Sequence, residues 1–146
     1  EADSVSVALQ REKEKRGDIK VGIAYEGWDE TGRRERYRLK EKTVYLGLMD
    51  GERFWEGFSL TLARKYDLSR IGHIVIGGDG APWVKDGAEI LGGIYQLDRF
   101  HLKRALNQTM DNALAMEVYQ ACVNGEIDKV ERILMQEQQE AAVEGA

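Results

Sequence analysis

From residue 2 to residue 9 the chain alternates, with Asp3, Val5, Val7 and Leu9 on one face of an extended segment and Ser4 and Ser6 on the other. That is the period of a half-buried strand. Ile19, Val21, Ile23 and Tyr25 repeat it. Between them, Arg11-Glu12-Lys13-Glu14-Lys15-Arg16-Gly17 reads as a solvated connection, either a long hairpin loop or a short helical turn. A third strand is expected over about residues 36–48, most strand-like at Thr43-Val44-Tyr45-Leu46. Gly27 and residues 29–32 supply the turn before it. Three strands with short connections predict an antiparallel meander.

The period then changes. Phe54, Phe58, Leu62 and Tyr66 recur every four residues with Trp55 beside them, a core-facing helical stripe that begins near Asp50 and Gly51. Ile74-Val75-Ile76 is apolar on both faces, as in a buried central strand, and runs into Gly77-Gly78-Asp79-Gly80. A helix is predicted over 82–91, with Pro82 in its first turn and Trp83, Ala88 and Leu91 facing the core. Gly92-Gly93 ends it, Ile94-Tyr95-Gln96-Leu97 forms a fifth strand, and Asp98 opens another helix. The order β-β-β-α-β-α-β-α implies an α/β fold, a mixed five-stranded sheet with helices packed on it.

Residues 111–140 read as a helical hairpin broken at Asn124-Gly125. Leu114, Val118, Tyr119 and Cys122 face one way before the break, and Ile127, Val130 and Leu134 follow it. The tail from Gln136 is expected to fray. The expected organisation is a partial core over 1–106, followed over 107–146 by the start of an inserted helical region. The first residue is Glu and a strand begins at once, so the chain reads as cut from a larger protein.

Composition narrows the class. The chain has 146 residues, 42% of them hydrophobic and 32% charged, enough for one real core. A net charge of −5 argues against a free-standing DNA-binding module but fits an acidic metal site inside a larger protein. The single cysteine, Cys122, excludes an internal disulfide or a multi-cysteine zinc site. No apolar run is long enough to span a bilayer and no signal peptide is visible, so a cytoplasmic protein without a membrane partner is expected. No phosphate loop, dinucleotide fingerprint or nucleophile elbow occurs. The basic cluster Arg33, Arg34, Arg36, Arg38, Lys40 and Lys42 is interrupted by Glu35 and Glu41, the pattern of a solvated hairpin that can also touch phosphates.

Two carboxylates stand out. Asp3 shares a strand face with three apolar side chains, so it either escapes at the strand end or binds something. Asp79 follows a buried strand directly and is flanked by glycines, which let the backbone turn and leave the carboxylate accessible. Its other reading is a cap for the helix that starts near Pro82. Asp98 and His101 make an Asp-x-x-His at the next strand-to-helix junction, explicable as an N-cap and the third helical residue, or as side chains gathered on one turn. His73, ahead of an apolar strand, reads as solvated. Hard oxygen donors from separate strands point to magnesium or manganese, and two such ions activate a nucleophile and stabilise a leaving oxygen in phosphodiester chemistry. The arrangement requires the first strand beside the fourth.

Four blocks together resemble the bacterial insertion-sequence transposases of the ISLre type, which are similar to the wider Mutator-like class. They are Glu1-Ala2-Asp3, the segment from Lys20 to Trp28, Gly77-Gly78-Asp79-Gly80-Ala81-Pro82-Trp83, and the segment from Tyr95 to Arg104. The resemblance covers residues 1 to about 106. It implies a ribonuclease H-like fold, with Asp3 and Asp79 as the first two catalytic, metal-holding acids of a DDE site. It implies a third, a glutamate on a helix beyond a helical insertion, which no glutamate here matches. Mutator-like relatives carry Cys-x-x-His after the fifth strand; here Asp98 replaces the cysteine and His101 remains, so the pair is structural, DNA-contacting or accessory to the metal site. Lys103 and Arg104 are the expected DNA contacts. The implied activity is metal-dependent DNA strand cleavage and strand transfer, with Mg2+ or Mn2+ as cofactor. Transposon ends and target DNA are the implied partners, on which a homo-oligomer assembles in the bacterial cytoplasm near the nucleoid. The competing expectation is a non-catalytic nucleic-acid-binding or assembly domain of the same fold.

Overall fold

A computed structural model of the chain describes residues 1–9, 16–31 and 37–144. Arg33, Arg34 and Arg36 of the basic cluster, and residues 11–15 of the first connection, lie outside the described residues. Contacts divide the chain into two compact units, Glu1–Leu97 and Asp98–Ala146.

In the first unit, the two alternating segments form β1 (Ala2–Ala8) and β2 (Arg16–Ala24). They pair antiparallel, with Asp3 opposite Val21 and Val5 opposite Ile19. The stretch expected as one strand over 36–48 is two. Gly27–Glu30 (β3) and Tyr37–Lys40 (β4) make a separate two-stranded sheet, and only Thr43–Leu48 (β5) joins β2 in the main sheet. The physical reason is a corner at Glu41, whose φ of 50° is left-handed, a conformation that interrupts any strand.

The end of helix α1 (Gly51–Lys65) holds this corner. Lys65 Nζ donates to the Lys42 carbonyl at 2.9 Å, and the Tyr66 hydroxyl donates to the Glu41 carbonyl. The other end of α1 is capped by Asp50, which accepts the Arg53 N–H at 2.9 Å.

The rest of the unit is β6 (Val75–Gly78), α2 (Pro82–Leu91) and β7 (Ile94–Leu97). The main sheet is mixed and five-stranded, in the order β5-β2-β1-β6-β7, with β1-β6 and β6-β7 parallel. Helices α1 and α2 cover one face. Phe54, Trp55, Phe58 and Leu62 from α1 and Val84 and Ala88 from α2 are buried against Ala2 and Ile76 of the sheet. Small residues at the sheet surface permit this: a Cβ on Gly22 would lie 2.5 Å from the Phe58 ring. The other face carries Val5, Val44, Leu46, Leu48, Val75 and Ile94, each between 46% and 61% exposed.

The second unit contains α3 (Arg99–Thr109), α4 (Asn112–Asn124) and α5 (Ile127–Glu144). Leu106, Ala115 and Val118 form its core, backed by Leu102, Tyr119, Cys122 and Val130. The break between the last two helices falls at Gly125, with a φ of 73°. The boundary expected after residue 106 lies inside α3, which belongs with α4 by contact. The tail does not fray from Gln136 but stays helical through Glu144. It is rich in good helix formers, and Gln136 reaches Glu140 one turn on at 3.1 Å.

Candidate functional site

Asp3 lies on β1 and Asp79 directly follows β6. Ala2 pairs with Gly78 in parallel register, so Asp3 and Asp79 are the next residues along two adjacent strands. Neighbouring strands run about 4.8 Å apart. Alternation gives Asp3 the parity of Val5, on the sheet face opposite α1 and α2; continued one residue past β6, it gives Asp79 the parity of Val75. The two acids therefore occupy neighbouring chain positions at the carboxyl end of β6, where open α/β sheets bind ligands.

Each has a local bond as well. Asp3 is exposed, and its Oδ1 accepts the Ser4 N–H at 2.7 Å. Asp79 is half-buried and its Oδ1 accepts the Ala81 N–H at 2.9 Å. The expected alternative for Asp79, a cap on the following helix, is not what it does: Ala81 is the N-cap of α2 and no side chain bonds there. Asp79 instead closes a tight turn. Gly80 has a φ of 98°, which a side chain would strain. Gly78 is small for a different reason, since a Cβ would lie 2.6 Å from Val84 and 3.0 Å from the Ala2 carbonyl. The start of α2 is fixed in turn by Trp55, whose Nε1 donates to the Trp83 carbonyl at 2.6 Å.

Two residues near this place escape a reading by motif. Lys20 is the one buried charged side chain among the described residues; its Nζ sits 5.2 Å from the centroid of the Trp83 ring. The available signal was the strand period, because Ile19 and Val21 share the face of Asp3 and so send Lys20 to the covered side. Glu1 accepts the Tyr25 hydroxyl at 3.0 Å, and burial, this bond and the Glu1 charge together push the Tyr25 phenol above its usual value.

Asp98 and His101 lie in the second unit. Asp98 is the N-cap of α3: its Oδ1 accepts the His101 N–H at 2.8 Å, and its Oδ2 lies 2.7 Å from His101 Nδ1. Burial pushes the Asp98 carboxyl upward. Hydrogen bonds from the His101 N–H and imidazole, the imidazole charge and the Phe100 N–H outweigh that and hold it below the ordinary carboxylate value. Lys103 and Arg104 are exposed on the same helix, with Lys103 Nζ 5.9 Å from the Tyr119 ring centroid. His73 is exposed, and Cys122 is a free thiol.

Among the described residues no group of three or more His, Cys, Asp or Glu side chains is placed to hold a metal ion. The donor chemistry of Asp3 and Asp79, hard carboxylate oxygens, fits magnesium or manganese, of whose coordination shell two such residues would make only a part. Among the described residues no helix is long and apolar enough to cross a membrane.

A family model described as "Uncharacterised protein family (UPF0236)" matches residues 1–142. Similar proteins, each named as a UPF0236 protein, come from Caldanaerobacter subterraneus subsp. tengcongensis. One is 30% identical over 136 residues, covering 91% of this chain and 28% of that protein. Another is 32% identical over 105 residues, 71% of this chain and 22% of that protein. A third is 37% identical over 67 residues, 43% of this chain and 14% of that protein, and its name joins eleven locus designations. The chain thus spans little more than a quarter, or less, of the length of these relatives. No solved structure matches.

Proposed function

The chain belongs to the UPF0236 family, and on that premise we propose that it is part of the catalytic core of a DNA transposase of the ISLre type, ribonuclease H-like in fold. The observation that carries this reading is the register at the centre of the sheet, which makes Asp3 and Asp79 neighbours on adjacent parallel strands. Two carboxylates at one strand end are the scaffold on which divalent ions are held for phosphodiester chemistry. Asp3 and Asp79 would hold Mg2+ or Mn2+, which supply activation of a water or 3′-hydroxyl and stabilisation of the leaving oxygen. The protein's own part is to fix the two acids on a rigid sheet, with the Gly80 turn and the Trp55–Trp83 bond setting where Asp79 stands. The third acid would come from a helix elsewhere in the full-length protein, and the bare apolar face beside Asp3 offers a surface against which such a helix packs.

The copy number of the relatives supports the mobile-element part of the reading. Eleven locus designations in one name are what a DNA segment that copies itself within a genome leaves behind. Transposon ends and target DNA are then the partners, and a homo-oligomer assembled on them the working form. Asp98 and His101 are best read as a cap that starts α3, with Lys103 and Arg104 as candidate phosphate contacts along it.

The competing reading, a non-catalytic nucleic-acid-binding or assembly domain, draws on the local bonds of Asp3 and Asp79, which give each acid a structural task. Manganese titration followed by NMR separates the two. Paramagnetic broadening centred on Asp3 and Asp79, abolished in Asp79→Asn, is expected. Broadening spread over all surface carboxylates, or unchanged in that variant, would remove the metal site and leave the competing reading. The expected affinity is weak, because two donors form an incomplete shell.

A further inference from the structure

The two helices on the covered face begin at the same end of the sheet. β1 runs parallel to β6, and β5, antiparallel to β2, runs the same way as both. α1 and α2 follow β5 and β6, so their amino ends, where unpaired N–H groups favour anions, stand together at the carboxyl end of β6. Their contact is close: a Cβ on Gly51, the first residue of α1, would lie 2.7 Å from the Trp83 Cβ. Asp50 caps α1, so that helix already has its anion. α2 has no side-chain cap. Pro82 carries no N–H, Val84 and Lys85 donate to the Ala81 carbonyl, and the Trp83 N–H meets no acceptor among the described residues.

A separate observation points to the same place. Lys20 is nine-tenths buried, and among the described residues its ammonium has neither a hydrogen bond nor a carboxylate within salt-bridge distance. It stands on β2 between Ser4 of β1 and Gly47 of β5, on the covered side, and its Nζ reaches the Trp83 ring at 5.2 Å from the centroid. The amine is not sealed off, for Ser59 Oγ is the one fully buried side-chain polar atom without a partner among the described residues. A buried ammonium without a counter-charge is costly, and a ring face offsets only part of that cost. The Ser4 hydroxyl, half-buried on the same face, is also without a partner among the described residues. Asp18, two residues along β2 on that face, is exposed and forms no ion pair with Lys20.

We propose that Lys20, with the Ser4 hydroxyl and the Trp83 N–H, binds a phosphate group of the DNA strand on which the transposase core acts. This rests on the reading of the chain as part of such a core, and adds to it a substrate contact that needs no metal. The donors suit a phosphate: a compact ammonium, a hydroxyl and a backbone N–H at a helix start. Alternation puts Asp3 on the other face of β1, so this position is distinct from the one at which Asp3 would hold a metal ion.

Trp83 fixes where the ammonium stands. Its carbonyl accepts the Trp55 Nε1–H at 2.6 Å, and its ring meets the Phe54 ring edge-on with 5.2 Å between centroids. The burial of the Lys20 stem means that its rotamer freedom is given up on folding rather than on binding, which makes the contact preorganised.

The test is the salt dependence of binding to a labelled single-stranded oligonucleotide, read by fluorescence anisotropy in EDTA for the parent, Lys20→Met and Lys20→Arg. Lys20→Met keeps the buried stem and removes the charge. It is expected to weaken binding at low salt roughly tenfold, the loss of one charge-assisted contact. The slope of log K against log salt should fall by about 0.7, the share of one phosphate on a single strand. Lys20→Arg should keep both, and urea unfolding should find Lys20→Met no less stable than the parent. In the parent, NMR signals of the Lys20 side chain and the Trp83 amide should shift with the oligonucleotide. No binding by the parent, or unchanged affinity and slope in Lys20→Met, would overturn the proposal. So would signals that shift with inorganic phosphate and not with the oligonucleotide, which would assign the position to free phosphate. With EDTA present, failure of this contact and failure of the manganese site are read separately.

Discussion

The two faces of the five-stranded sheet are both apolar, yet they meet different fates. Under α1 and α2, the covered face gathers Phe54, Trp55 and Phe58 with Trp83 and Tyr45 into ring contacts of 5.2–6.2 Å between centroids. Phe54 is fully buried and Trp55 almost so. The opposite face presents a comparable row of β-branched and leucine side chains to solvent, and Asp3 stands on that side. Parallel strands ordinarily carry apolar residues on both faces because layers cover both. The comparison teaches that hydrophobic pattern specifies what a face can bury, while the elements within reach decide what it does bury. In this chain Asp3 lies on the side that the first unit leaves open.

The sharpest way to break the comparison is truncation on each face. Trp55→Ala should cost about 3–5 kcal/mol in urea unfolding, from lost transfer energy and a cavity that α1 and α2 cannot close. Leu46→Ala, 61% exposed on the bare face, should stay within about 0.5 kcal/mol of the parent. A Leu46→Ala loss approaching that of Trp55→Ala would mean that the face is covered in solution.

A smaller effect is expected from filling the covered face. The Cβ of Gly87→Ala would fall 2.1 Å from the Trp55 ring, and overpacking of this kind costs about 1–3 kcal/mol, read as a lower urea midpoint at unchanged slope. Opposite it, Leu48→Lys on the bare face should leave the midpoint within about 0.5 kcal/mol of the parent and reduce binding of a hydrophobic dye.

The smallest expected effect is in the second unit and depends on pH. Folding lowers the Asp98 pKa, so the stabilisation is full above the unfolded carboxylate value of about 3.9 and is lost as pH falls through the lower folded value. Acid titration of helicity should therefore show a steeper loss in the parent than in Asp98→Asn, which keeps a capping oxygen without the charge. Parallel curves would show that the carboxyl charge contributes nothing there.

Much of this architecture was readable along the chain. The four-residue recurrence of Phe54, Phe58 and Leu62 located α1, Pro82 and Gly92 bracketed α2, and Asn124-Gly125 divided the last two helices. These signals are local: a side chain's period, a fixed φ or a tolerated positive φ acts within a few residues. Asp79 was visible for the same reason, as an acid set in a glycine turn. The corner at Glu41 was not, because no glycine or asparagine marks it and it is held by Lys65 and Tyr66, more than twenty residues away.

Apart from the β3–β4 hairpin, the sequence by itself determined the kinds of element, their order and the acids that stand at strand ends, since each follows from chemistry within a turn or two of chain. Only the tertiary structure decided which strands are neighbours. The register that sets Ala2 against Gly78, and so Asp3 beside Asp79, joins residues more than seventy positions apart. It depends on α1 and α2 packing over Gly22 and Gly78, a fit of shapes that no local pattern encodes.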